Sequence, residues 1–136
     1  MSISKEGLAH LKRHEGYRKH MYKDTEGYTT IGYGLNLDAG MDEELAAFIC
    51  EFLANRIDRQ LVAEFVWYRN LTQRRKDVII NMVFNLGLDG FKLFRKTIFK
   101  LNKGDFEGAA VEMLNSKWAT QVGLRARFLA EQMRLG

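Results

Sequence analysis

The 136-residue sequence contains no proline and one cysteine, Cys50. Without proline, interruptions of the chain must come from its 12 glycines, which reach backbone conformations closed to other residues. A lone thiol excludes an intrachain disulfide, so stability rests on packing and the chain suits a reducing compartment. Cys50 lies between Ile49 and Glu51 with no cysteine–histidine neighbourhood in the sequence, and it reads as a packed, unreactive thiol. Long apolar runs are missing as well: the longest, Val78 to Phe84, is interrupted by Asn81. The amino terminus, Met1-Ser2-Ile3-Ser4-Lys5-Glu6, lacks the apolar segment of a secretory signal. These absences argue against membrane insertion and predict a soluble product made in the cytoplasm. No repeat, low-complexity stretch or linker divides the chain, which reads as one domain.

At 46% hydrophobic residues with charges of both signs interspersed, the composition is that of a globular domain and not of a disordered one. The net charge of +4 hides an asymmetry: residues 1–68 hold 8 Lys and Arg against 11 Asp and Glu, whereas residues 69–136 hold 13 against 6. A basic half beside an acidic one can steer a polyanion, or it can be a solvated surface with no partner. The densest cationic cluster, Arg69 with Arg74-Arg75-Lys76, lacks interleaved aromatics, so it reads as a solvated helix start and no nucleic-acid partner is expected.

Ile3, Leu8 and Leu11 give a short amphipathic helix from Ile3 to His14 that stops at Gly16. Met21-Tyr22-Lys23 and Tyr28-Thr29-Thr30-Ile31, separated by Asp24-Thr25-Glu26-Gly27, predict a β-hairpin with a type I turn. The alternation Ile31, Tyr33, Leu35, Leu37 extends its second strand, with Gly32 and Gly34 leaving the opposite face bare for something to lie against. A helix of about 34 Å at ~1.5 Å per residue is predicted from Asp42 to Glu64, long enough to join two lobes. Another, from Gln73 to Leu86, is apolar nearly all round and stops at Gly87, marking the core. Shorter helices are expected at about Lys92–Asn102, Phe106–Asn115 and Leu124–Met133. The class is mainly α, with one small β element.

Glu15 is hard to explain by stability alone, because a carboxylate at the end of a helix meets the negative end of the macrodipole. The placement suits a group that must carry a proton, although Lys12, Arg13 or His14 can balance an exposed glutamate there. Asp24 opens a turn closed by Gly27 and so can serve its own backbone. Two carboxylates across a cleft are also the minimum equipment for glycoside hydrolysis, and Thr30 can help to hold a water. His10 and His14 share a helix face at the spacing of zinc ligands, but Leu11 stands where a metalloprotease needs glutamate, and no metal is expected. Asn81 and Asn85 form a polar stripe on the core helix; they either satisfy each other and nearby backbone or hydrogen-bond a sugar. Tyr33 and Trp118 are either core residues or platforms for a sugar face.

The run Glu15-Gly16, then Tyr22-Lys23-Asp24-Thr25-Glu26-Gly27-Tyr28-Thr29-Thr30-Ile31-Gly32-Tyr33-Gly34, closely resembles the active-site segment of the phage-type lysozymes, those of T-even bacteriophages in particular. Ile80-Asn81-Met82-Val83-Phe84-Asn85-Leu86-Gly87 resembles the central helix of that family, and Ser116-Lys117-Trp118 through Gln121 and Arg125 a third segment. The resemblance implies a two-lobed lysozyme-like fold, with a small lobe at about 15–40, a connecting helix at about 42–64, and a helical lobe at about 70–136 that includes the amino-terminal helix. It implies a cofactor-free, inverting muramidase with Glu15 as proton donor, Asp24 as second carboxylate and Thr30 as third member. Tyr33, Asn85, Trp118, Gln121 and Arg125 would bind glycan, with Arg125 near enough to influence Glu15. A monomer is implied, acting on peptidoglycan after release from a host cytoplasm, with a membrane-permeabilising holin as functional partner. An inactive wall-binding module of the same fold is the alternative. Two departures stand out: only Leu35 to Gly40 separate the hairpin from the long helix, where the T-even enzymes insert more, and Leu35 replaces their histidine.

Overall fold

The computed structural model describes residues 2–136. The chain divides into two compact units, Met1–Ala47 and Phe48–Gly136, and the boundary falls inside a helix shortly after its start. The class is mainly helical with a small β element, as the patterning predicts.

The smaller unit holds one helix, α1 (Lys5–Glu15), and an antiparallel sheet of β1 (Arg18–Lys23), β2 (Thr29–Gly32) and β3 (Leu35–Asn36), in that order. α1 begins later than the apolar pattern implies, because the Ser4 hydroxyl accepts the Gly7 N–H at 3.0 Å and so claims the capping position. It ends where expected: the Gly16 N–H closes on the Lys12 carbonyl at 2.9 Å. The expected extension of the second strand is corrected. The pairing Thr30↔Asn36 and Ile31↔Leu35 shows that the chain reverses at Gly32-Tyr33-Gly34 and returns as a third strand. Gly32 and Gly34 have φ of +66° and +78°, so they are turn-makers before they are gaps in a face.

The helix that crosses the boundary, α2 (Glu43–Glu64), starts on Asp42, whose Oδ1 accepts the Leu45 N–H at 2.8 Å. It enters the core of the larger unit through Ile57 and Leu61. Cys50 precedes that stretch and is exposed, which corrects the expectation of a packed thiol. A 3-10 turn, Val66–Asn70, leads to α3 (Gln73–Lys92), α4 (Arg95–Asn102), α5 (Phe106–Leu114), α6 (Lys117–Val122) and α7 (Leu124–Leu135). α3 does break at Gly87, where φ is +76°, but a further turn resumes and runs to Lys92. α6 is additional to the predicted helices, and the Ser116 hydroxyl caps it by accepting the Ala119 N–H at 3.1 Å.

α5 packs on α4 and α7, and α3 on α7. Leu61, Ile79, Met82, Phe91, Met113 and Met133 are all fully buried at their common centre. Met82, Met113 and Met133 give this centre adaptable side chains that fill irregular gaps. α3 buries one stripe, Val78, Ile79, Met82 and Val83, while Phe84 is 43% exposed, so it is less uniformly interior than its composition suggests. The one phenol at the centre, Tyr68, donates to Asp58 Oδ1 at 2.5 Å. Burial, and then this acceptor's hydrogen bond and charge, push the Tyr68 phenol well above its usual range, so it stays a neutral donor.

Arg75, in the first turn of α3, ties the end of the chain to its middle. Its guanidinium donates from Nε to the Met133 carbonyl at 2.8 Å and from Nη2 to the Arg134 carbonyl at 3.2 Å, and lies 3.6 Å from the Phe106 ring centroid. A cation thereby satisfies carbonyls that the last turn of α7 leaves unpaired. Arg75→Met should lower stability by about 1–2 kcal/mol, read as a lower midpoint in urea unfolding. Arg75→Lys should recover only part of it, because an ammonium cannot reproduce the planar, two-pronged contact.

Candidate functional site

In the smaller unit, the end of α1 delivers Glu15 to the sheet. A Cβ built on Gly34 would collide with Glu15 Oε2 and stand 3.1 Å from Glu15 Cδ, so the carboxylate lies directly against the bare backbone of residue 34. The positive φ at this position supplies the turn, and the missing side chain supplies the room. Glu15 is thus what lies against one of the two expected glycine gaps. At Gly32 a Cβ would meet nothing within 4 Å, so that glycine serves the turn alone.

Asp24 and Thr30 are joined at one backbone carbonyl, that of Tyr28. Asp24 Oδ1 accepts the N–H groups of Glu26 and Tyr28, both at 2.9 Å, and the Tyr28 carbonyl accepts the Asp24 N–H at 2.9 Å and the Thr30 hydroxyl at 3.0 Å. The turn-forming reading of Asp24 therefore holds for one carboxylate oxygen. Among the described residues, Oδ2 takes no hydrogen bond, so the turn does not use up the group. Thr30 is 4% exposed and paired on both sides, with Tyr22 in β1 and Asn36 in β3. Its hydroxyl proton goes to Tyr28, which leaves the oxygen lone pairs free to accept from water.

The short connection after β2 carries its own bracing, which the sequence reading missed. Asn36 Oδ1 accepts from the N–H of Asp38 at 3.0 Å and of Ala39 at 3.3 Å, while Asp38 Oδ2 accepts the Thr29 N–H at 2.8 Å. Asn and Asp two residues apart, within a stretch ended by glycine, are the signal that was available. The register Arg18↔Gly32 also brings Tyr17 opposite Tyr33, with ring centroids 5.6 Å apart. Tyr33 is 48% exposed, which excludes the core reading for it. His10 and His14 lie on one face of α1, and among the described residues no group of three or more potential metal ligands forms.

In the larger unit, Asn81 and Asn85 do not satisfy each other. Asn85 Oδ1 accepts the Trp118 indole N–H at 2.8 Å, and Asn81 accepts twice from Arg125, at 2.9 Å on Oδ1 and 3.3 Å on its carbonyl. Trp118 is 4% exposed and meets the edge of Phe94 at 5.9 Å, so its ring is a core element and no open platform for a sugar. Its one polar atom fixes the orientation of the exposed Asn85 amide. Gln121, on α6, and Arg125, on α7, are both exposed.

Comparison with known proteins follows the same residues. The family model described as phage lysozyme matches residues 12–131. The chain is 35% identical over 127 residues to an endolysin of Acyrthosiphon pisum secondary endosymbiont phage 1, a match covering 88% of this chain and 81% of that protein. It is 29% identical over 147 residues to a probable T4-type lysozyme 2 of Dictyostelium discoideum, covering 85% and 86%. It is 36% identical over 127 residues to an endolysin of Bacillus phage B103, covering 87% of this chain and 46% of that one.

The two glycines of the tight turn allow a matched test. Gly32→Ala and Gly34→Ala each place a side chain at positive φ and should each cost about 1–2 kcal/mol of stability. Gly34→Ala alone should also displace Glu15 and lower hydrolytic turnover by more than tenfold, measured as reducing ends released from isolated walls. Equal activity in the two variants would show that the contact of Glu15 with Gly34 is incidental.

Proposed function

Because this chain belongs to the phage lysozyme family, we propose that Glu15, Asp24 and Thr30 carry out an inverting cleavage of the β-1,4 bond between N-acetylmuramic acid and N-acetylglucosamine. The chain is a muramidase-type glycoside hydrolase acting on peptidoglycan, and the residue roles are the finer part of the reading. The observation that carries them is the joining of Asp24 and Thr30 at the Tyr28 carbonyl, in the same unit in which Glu15 is laid against Gly34.

In the proposed step, protonated Glu15 gives its proton to the glycosidic oxygen as the bond from that oxygen to the anomeric carbon breaks. A water held by Asp24 Oδ2 and Thr30 Oγ1 attacks the anomeric carbon from the opposite face and passes a proton to Asp24. Charge balances: Glu15 ends ionised, Asp24 ends protonated, and solvent exchange restores both. Asp24 Oδ1, bound to the turn, holds the group still while Oδ2 reacts. Asn85, Gln121 and Arg125 are proposed to hydrogen-bond the glycan and Tyr33 to contact it, while Trp118 acts through Asn85. The reading extends, on family resemblance, to a monomer that needs no cofactor and reaches the wall with the help of a holin.

Glu15→Gln should fold as the parent does and lose lysis of wall suspensions by at least a thousandfold, since an amide keeps the shape and cannot donate the proton. Activity within tenfold of the parent would remove Glu15 from the role of acid. Proton NMR of freshly released product should show the anomer opposite to that of the substrate bond, before mutarotation mixes the two. Release of the retained anomer would assign Asp24 to a covalent intermediate instead.

A further inference from the structure

The surface beside Glu15 carries an aromatic pair, Tyr17 and Tyr33, of which only Tyr33 has a part in the reading above. Tyr17 follows Glu15 across Gly16, and Tyr33 immediately precedes Gly34, against which the Glu15 carboxylate lies. The β1–β2 register, continued one residue past Arg18↔Gly32, sets the two tyrosines opposite each other, with centroids 5.6 Å apart and planes at 49°. A pair that served only to fasten the end of α1 to the sheet would hide its rings, as aromatic pairs in cores do. Here Tyr17 remains 63% exposed and Tyr33 48%. The Lys12 ammonium stands 5.7 Å from the Tyr33 centroid, so Tyr33 already has two neighbours and Tyr17 is the ring left open.

We propose that Tyr17, backed by Tyr33, is a sugar-stacking platform that holds one pyranose of the glycan strand next to the scissile bond. The inference rests on the muramidase reading and adds a specificity-determining residue to it. A pyranose presents an apolar face of C–H groups rimmed by hydroxyls, and an exposed phenol matches both, the ring meeting the face and the hydroxyl reaching the rim. The tilt against Tyr33 keeps Tyr17 from turning freely, which limits the entropy lost when a sugar settles on it. Because Tyr17 is separated from Glu15 by one glycine, a sugar on that ring is registered against the acid by the chain itself.

The test uses soluble, uncrosslinked glycan strands released from peptidoglycan, titrated into Glu15→Gln protein and followed by NMR of the tyrosine rings. The Tyr17 resonances should shift on binding. Adding Tyr17→Ala or Tyr17→Leu to that background should weaken strand binding about tenfold, whereas Tyr17→Phe should stay within threefold. In the active protein, Tyr17→Leu should raise KM about tenfold with kcat within about threefold and the thermal midpoint little changed. Unaltered strand affinity and KM in Tyr17→Leu would overturn the proposal, as would a lowered midpoint with KM unchanged, which is the signature of a fastening role. Failure of the muramidase reading looks different: the parent would bind strands through Tyr17 and release no reducing ends.

Discussion

The contact of the Glu15 carboxylate with the side-chain-free backbone of Gly34 is the constraint around which the smaller unit is arranged. It requires α1 to stop at Glu15 and the chain to reverse at Gly32-Tyr33-Gly34. The two requirements come from different ends of the segment and meet at one atom pair. A glycine is needed at residue 34 twice over, once for its positive φ and once for the space where a Cβ would be. A substitution at residue 34 therefore reports on the acid, although the two residues lie far apart in sequence.

The second feature of the unit is economy in its polar groups. The Tyr28 carbonyl accepts both the Asp24 N–H and the Thr30 hydroxyl, so the two residues proposed to hold water are tied to one acceptor, while the Tyr28 N–H bonds Asp24 Oδ1. Asp24 is at once the residue that forms the turn and the residue proposed to react, and its two oxygens separate the tasks. Asn36 and Asp38 do comparable work on the far side of β2, closing the short connection with side-chain hydrogen bonds.

The larger unit holds its polar residues by the same logic at greater range. Asn81 and Asn85 stand one turn apart on α3, and each is met by a single partner from a later helix, Arg125 and Trp118. A well-buried indole and a methionine-rich centre keep those partners in place. Arg75, clamped on the carbonyls at the end of α7, fastens the carboxy-terminal helix that carries Arg125.

Local chemistry made much of this legible beforehand. The Asp24–Gly27 turn, the stop of α1 at Gly16, the span of α2 from Asp42 and the break at Gly87 each depend on a few adjacent residues whose conformational preferences act without the rest of the fold. Glu15 was legible for a related reason, since its conflict with the end of the helix is a local electrostatic fact. β3 was not, because alternating residues read the same whether a strand continues or doubles back, and only pairing with β2 decides between them. α6 was missed for want of an apolar period in six residues. The occupant of the gap at Gly34, the pairing of Tyr17 with Tyr33 and the separate partners of Asn81 and Asn85 were decided by tertiary structure alone. Each is a contact between residues that no local preference brings together, and the burial of side chains elsewhere in the chain supplies the free energy that holds it.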